Sequence, residues 1–495
     1  MTLDPNDESR AIVPQWRAFE HARRTGELDP ASILDAVQGP SEALQKLHHE
    51  WTASGAMTFA SELVAGSLVE GVPEYGRSAA TVLASAAAST SRVVDVIVSE
   101  VLGTRSRLPK RRGPPQEEVH RLRHEVADRL RDPFAWVDLA RAYEGSGSNQ
   151  KADQAMSIAL ALAPNNRYIL RSASRLFQHQ GEIEKAHRLV ARAPQIRSDP
   201  WLLATEMALA GLMGRSSRHM RLALQLSGDS GQSPWQISEL RSALGSAELT
   251  TGSVKKARKL FRGSLEDPTD NSLAQAHWAA RRHDPGLRSQ IGDITASAEA
   301  VAWQEYRDEH WLQALAAAEQ WHAAEPFLAQ PLILGTHLAA SCLLDYEKAE
   351  KLAMLGLRAN PESFTLSNNY IYAAAHVGKI IEAEKQLYKL DLVALTDRER
   401  IVHTATKGLV AFRKGTTEEG RLLYREAIGL ASSHNDPAIL ASALLNFAVE
   451  ESRLEARPDS LQLAEEALAK VAKGRFPTLL PLANVLSASI RRAAD

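Results

Sequence analysis

Residues 133–166 read as two short helices folded against each other, because residue size changes at fixed intervals along them. Large side chains stand at Trp136, Leu139, Tyr143 and Met156, and small ones at Ala140, Ala152 and Ala159. Gly147 falls between the two helices and Pro164 just after the second. Two helices approach closely only where small residues face each other. Large residues must fill the space beside them, because protein interiors are close-packed. One such pair cannot bury its apolar face alone, so stacked neighbours of the same kind are required.

The neighbours keep step. A unit from Arg167 carries Phe177, Gly181, Ala186, Val190 and Ala193, and a weaker one from Pro200 places Gly214 in its turn. A unit from about Ser238 carries Leu244, Gly245, Ala257, Phe261 and Ser264. The phase slips over residues 271–294, where an extra helix and a turn from His283 to Gly286 are expected. It resumes in units from about Thr295, Gln330 (Ala349, Ala353, Pro361), Phe364 (Gly378, Ala383, Leu387, Leu390), Ile401 (Gly415, Tyr424, Ala427) and Ala441 (Ala464, Ala467). That makes about nine hairpins over residues 133–474. Residues 475–495 follow as a helix capping the last hairpin, as terminal repeats usually need.

This pattern resembles the tetratricopeptide repeat, whose period is about 34 residues. The resemblance covers residues 133–474 and is most specific in the first unit. It implies an all-α fold, a right-handed superhelical α-solenoid that holds a protein or peptide in its concave groove.

Composition narrows the class. Of 495 residues 44% are hydrophobic and the net charge is −2, which fits a folded chain without a whole-protein field for nucleic acid. Arginine far outnumbers lysine and alanine is abundant, a bias that suggests a GC-rich bacterial genome. The one cysteine, Cys342, lies among Ala, Ser and Leu and reads as a small core residue. The polar, acidic start lacks the basic and apolar regions of a signal peptide, and no long uncharged apolar run occurs. A cytoplasmic protein with no membrane span is expected.

The first 102 residues lie outside the repeat and read as an N-terminal helical bundle. Helical patterns run over residues 29–37, 41–70 and 74–102, the last with a near-heptad seam from Leu83 to Val101. Gly55, Ala56, Ala60, Ala65 and Gly66 point to close helix contacts. The region serves either as a small bundle packed on the solenoid or as a docking or homo-oligomerisation element. Residues 103–132 form a basic linker and a lead-in helix. Arg105, Arg107, Lys110, Arg111 and Arg112 suit a solvated linker, or contact with nucleic acid or anionic lipid.

No phosphate loop, dinucleotide fingerprint, paired C-x-x-C or H-E-x-x-H occurs, so neither catalysis nor a cofactor is expected. Glu117, His120, His124 and Asp128 share a helical face at metal-like spacing. The arginines around them favour an exposed charged face, and no metal is expected.

The family places certain first-helix positions on the concave face. Carried over residue by residue, these are Phe134 and Arg141, then Tyr168, Arg171, Arg175 and His179. Later units contribute Trp303, Tyr306 and Arg307, then Asn368, Tyr372 and His376, then Phe412 and Arg413. Asn369 and Asn446 fall where peptide-binding relatives often hold a ligand backbone, since an amide both donates and accepts. Acids are fewer (Glu144, Glu239 and Glu299), so the implied groove is basic and aromatic, suited to carboxylates and apolar anchors. The expected function is a non-enzymatic interaction scaffold or adaptor for an acidic or C-terminal protein segment. The alternative is a regulatory or sensory subunit that responds to a peptide or nucleotide. Nucleic-acid binding is a weaker third.

Overall fold

In the computed structural model, the described residues are 40–70, 72–85, 98, 101–103, 115–228, 232–283, 298–390, 395–434, 436–454 and 458–494. All the regular structure among them is helical. The helix predicted over residues 29–37, most of the seam from Leu83 to Val101, the basic run 105–112 and the turn after His283 lie outside them. The chain forms two compact units. An N-terminal unit runs to Ala300 and includes Ala323–Pro326; a C-terminal unit holds Val301–His322 and the chain from Phe327 onward.

The N-terminal unit begins with α1 (Glu42–Ser54), α2 (Met57–Val69) and α3 (Pro73–Ser85). The single pattern expected over residues 41–70 breaks at Gly55, whose φ of 63° is left-handed and ends α1. The small residues act as expected: a Cβ on Gly66 would lie 2.8 Å from Leu44 Cδ1. The Ser41 hydroxyl and amide both donate to the Glu70 carboxylate, tying the start of α1 to the end of α2.

After α4 (Pro115–Asp128) come helical hairpins at the spacing expected from the sequence: α5 (Pro133–Gly145) with α6 (Asn149–Leu162), α7 (Arg167–His179) with α8 (Ile183–Ala191), α9 (Pro200–Leu212) with α10 (Met220–Ser227), and α11 (Pro234–Thr250) with α12 (Val254–Ser264). The additional α13 (Asp270–His283) packs on α11. Three helix starts repeat one device. Asp132, Asp199 and Asp436 each precede a proline and accept two backbone N–H groups from the first turn. Turns repeat another: the N–H of Ser148 reaches the Tyr143 carbonyl and that of Glu182 the Phe177 carbonyl, around Gly147 and Gly181 at φ 78° and 81°.

Further hairpins follow: α14 (Ala298–Arg307) with α15 (Trp311–Ala324), α16 (Gln330–His337) with α17 (Tyr346–Ala359), α18 (Phe364–His376) with α19 (Ile380–Leu390), α20 (Asp397–Lys414) with α21 (Thr417–Ser433), and α22 (Pro437–Glu451) with α23 (Pro458–Gly474). The first two lack a turn glycine. Glu309 and Leu344 take the left-handed conformation instead, at φ 60° and 56°, which costs an ordinary side chain roughly 1–2 kcal/mol. Before Leu344 the chain widens into a π-helical segment, Leu338–Cys342. The last helix, α24 (Leu480–Ala494), packs on α22 and α23 and also reaches this π segment.

The packing rule read from the sequence is visible directly. A Cβ on Gly245 would lie 3.0 Å from the Phe261 ring, and one on Gly408 would lie 2.8 Å from the Tyr424 ring. Units placed at Ser238, Ile401 and Ala441 therefore keep the right packing register. Their helices nevertheless begin one turn earlier, at Pro234, Asp397 and Pro437. Capping boxes at Ser233–Gln236 and Thr396–Glu399, and the Asp436 cap, supply that turn.

Candidate functional site

In the N-terminal unit, the polar side chains on the first helices are joined to one another. Arg171 pairs with Glu239 of α11 at 2.5 Å and lies over the Trp201 ring, 5.3 Å from its centroid. Arg167 lies over the same ring at 4.8 Å and pairs with the cap residue Asp199. Trp201 meets Trp235 edge to face at 4.6 Å. The other Glu239 oxygen accepts from the Thr269 hydroxyl at 3.1 Å and the Asn271 amide at 3.2 Å. Arg141 and Arg175 are buried, and Arg175 donates to Gln178 Oε1 at 2.8 Å. Tyr168 packs on Phe134, with ring centroids 5.8 Å apart.

Glu144 has no exposed surface. His179 Nε2 lies 3.5 Å from its Oε1, and Gln180 donates to its Oε2 at 3.1 Å. Burial pushes this carboxyl up to about 7.

The C-terminal unit gathers aromatic rings, amides and histidines. The Tyr372 hydroxyl donates to Asn446 Oδ1 at 2.8 Å, and the Asn446 amide donates to the Ser442 carbonyl at 2.8 Å. That bond joins α18 to α22 and passes over the hairpin between them. Asn369 donates to the Thr336 hydroxyl at 2.7 Å, while buried Asn368 keeps an Oδ1 with no hydrogen-bond partner. His376 stacks on Tyr346 with centroids 4.0 Å apart and planes 7° apart. Arg413 Nη2 lies 3.1 Å from His376 Nδ1 and 2.9 Å from Glu450 Oε1. Phe412 is buried against Tyr424 and Phe447.

Nearer the start of this unit, Trp303 and Tyr306 meet edge to face at 5.9 Å, and the Tyr306 hydroxyl lies 3.3 Å from His337 Nε2. Arg307 is exposed. Burial dominates the electrostatics. It lowers the His337 imidazolium to about 3, and with the Arg413 charge holds His376 well below the usual histidine range. Burial also raises the Tyr306 and Tyr372 hydroxyls and the Glu450 carboxyl. Cys342 is buried with its thiol pushed up to about 12, so it stays protonated at neutral pH.

The expected residues thus fall into two groups. Arg141, Tyr168, Arg171, Arg175 and His179 lie in the N-terminal unit. Trp303, Tyr306, Arg307, Asn368, Asn369, Tyr372, His376, Phe412, Arg413 and Asn446 lie in the C-terminal unit. The picture of an uncompensated basic face needs correction. Glu239 closes on Arg171 and Glu144 lies against His179, and of the fifteen side chains six are buried, eight half-buried and Arg307 exposed. Sequence reading also missed Tyr346, His337 and Glu450. Glu450 left a signal, being a carboxylate at the end of an apolar run, ALLNFAVE.

Elsewhere, His120 and His124 meet edge to face at 4.6 Å, and Arg121 holds Glu118 and Glu125 at 2.9 and 2.8 Å. Among the described residues no three candidate ligands could hold a metal. No described helix is long and apolar enough to cross a membrane.

No protein-family model and no curated protein matches this sequence. Similar solved structures include yeast Tom70, at 15% identity and TM-score 0.28, covering 91% of this chain and 95% of that one. Another is the APC/C hetero-tetramer Cut9–Hcn1, at 12% identity and TM-score 0.37, covering 92% and 93%. A third is the human IFIT1 dimer with m7Gppp-AAAA, at 13% identity and TM-score 0.31, covering 80% and 97%.

Proposed function

We propose that this protein is a non-catalytic, cytoplasmic interaction scaffold whose first-helix side chains bind a protein segment, one with carboxylates or a free C-terminus. The observation that carries this reading is the density of polar groups where an array held by packing alone would need none. Arg141, Arg171, Arg175, Asn368, Asn369, Tyr372 and Arg413 stand on four of the first helices, α5, α7, α18 and α20. The arginine–carboxylate pairs act as place-holders: an incoming carboxylate replaces Glu239 beside Arg171, with Trp201 as the neighbouring apolar surface. A guanidinium can accept that exchange because its planar fork takes two carboxylate oxygens.

The test is capture from native lysate by the intact chain beside an Arg171→Gln, Arg175→Gln variant whose thermal midpoint is checked first. A partner held by the intact chain and lost by a folded variant supports the reading. A partner held equally by both moves the binding surface away from these helices.

A further inference from the structure

The turn between α9 and α10 departs from its counterparts. Elsewhere in the N-terminal unit three residues join the helices of a hairpin, as at 146–148, 180–182 and 251–253; here the connection spans 213–219. The added chain reads Arg215, Ser216, Ser217, Arg218 and His219. It closes one side of a cavity of about 300 Å³ whose other walls come from α8, with Arg188 and Arg192, and from the end of α9. These lining residues do not fall on the first-helix positions of the proposed groove.

The cavity is braced. Ser217 is buried and donates its hydroxyl to Glu206 Oε2, and its own oxygen accepts the His219 N–H at 3.0 Å. His187 Nε2 lies 3.1 Å from Glu206 Oε1. Both oxygens of the one lining carboxylate are therefore occupied. Arg218 spans the mouth, donating to the Ala191 carbonyl at 3.3 Å and to His219 Nε2 at 3.0 Å.

Arg188, Arg192 and Arg215 make no hydrogen bond or ion pair with any described residue. Arginines near helix C-termini ordinarily answer the negative end of the helix dipole. Here only Arg218 bonds a terminal carbonyl. Three exposed guanidiniums with no ion-pair partner among the described residues stand around one half-open cavity, an arrangement that suits a ligand with several negative charges better than a single carboxylate.

We propose that this cavity binds a di- or triphosphate group, free or at the end of a nucleotide. Guanidinium forks match phosphoryl oxygens in pairs. The volume is at the small end of ligand sites, roughly 300–1,000 Å³. Apart from the His187 imidazole, which is engaged with Glu206, the lining offers no aromatic face for a base. Recognition therefore stops at the phosphates. The site is independent of the scaffold reading and survives its failure.

The experiment is calorimetric titration of the full chain with inorganic triphosphate, ATP and CTP, repeated in an Arg188→Ala, Arg215→Ala double variant and in Arg262→Ala, an exposed arginine on α12. The expected result is one site that takes all three ligands within about threefold, weakens as salt is raised, and loses at least tenfold in affinity in the double variant but not in Arg262→Ala. The thermal midpoint of the intact chain should also rise with triphosphate, since a ligand that binds only the folded state stabilises it. The substituted side chains are exposed, so the variant should melt where the parent does; if it does not, Arg188→Lys with Arg215→Lys, which keeps the charge and loses the fork, should give an intermediate affinity. No binding, or binding unchanged in the double variant, overturns the proposal. Strong preference for one nucleotide over inorganic triphosphate overturns the claim that recognition ends at the phosphates.

Discussion

The two units build the same hairpin and fill its inner positions differently. The N-terminal unit uses ions: Arg171 with Glu239, Arg167 with Asp199, and a buried carboxyl at Glu144. The C-terminal unit uses rings and amides: Tyr346 on His376, Tyr372 to Asn446, and Tyr306 beside His337. Hairpin packing depends only on the small-against-large contact between paired helices. The inner positions are therefore free to diverge, and each unit should carry its own electrostatic signature.

The largest effect that would break the comparison is expected at Arg413. It is an ionic exception among the first-helix side chains of the C-terminal unit, beside the Arg421–Glu451 pair of α21 and α22, and Glu450 next to it is 3% exposed. Arg413→Ala leaves that carboxylate buried with only the half-exposed Arg453 at 3.8 Å and should cost up to about 3 kcal/mol. The same substitution with Glu450→Met should recover most of the loss, read by denaturant unfolding. A loss that persists in the double variant would mean that Arg413 acts mainly by packing on His376.

Acid should separate the units next. His337 is neutral in the folded chain down to about pH 3, while the unfolded chain takes up the proton near the ordinary value of 6.5. At this site the unfolded state then binds more protons, so His337 lowers the stability of the C-terminal unit as pH falls below 6.5, by about 2 kcal/mol at pH 5, while the raised Glu450 carboxyl offsets part of that loss. Glu144 and Glu62, both raised to about 7 by burial, reverse the sign. Their folded forms hold protons that the unfolded chain releases near 4.5, so the N-terminal unit gains stability as pH falls from 7 toward 4.5. Hydrogen exchange corrected for intrinsic rates, at pH 5 and pH 8, should show protection shifting from one unit to the other. His337→Gln and Glu144→Gln should each reduce the response of their own unit alone, with His376 and Glu62 carrying the remainder.

A pair of substitutions should sharpen the common part. Gly245→Val presses on Phe261 and Gly408→Val on Tyr424, and each should cost about 1–3 kcal/mol because the hairpin seam is the same in both units. Clearly unequal costs would mean that one seam yields more than the other. The smallest effect is expected from Tyr372→Phe, which removes one hydrogen bond to Asn446 and should cost about 1 kcal/mol in thermal unfolding.

These differences track what the sequence could convey. Helix pairing was legible because residue size within one hairpin encodes it: Gly245 with Phe261 and Gly408 with Tyr424 lie in neighbouring helices. Helix starts slipped by a turn at Pro234, Asp397 and Pro437, because the 3.6-residue period looks alike one turn apart and only the caps break the tie. Glu309 and Leu344 hid two turns by doing a glycine's work. The inner network was legible as a set of positions but not as a set of bonds. Arg171 with Glu239 and Tyr372 with Asn446 each pass over an intervening hairpin, and which residues meet there depends on small rotations between repeats that no local pattern records.

The reach of α24 has a consequence for how the C-terminal unit comes apart. In a regular array each repeat touches only its neighbours, so the ends fray and the middle follows. Here the last helix rests on the π segment Leu338–Cys342, with three hairpins between them along the chain. The free end is thereby tied into the middle, and peeling it away exposes core at both places at once. The hairpins from α16 to α23 should therefore melt as one cooperative block, with a single sharp transition in place of the graded loss expected of a linear array.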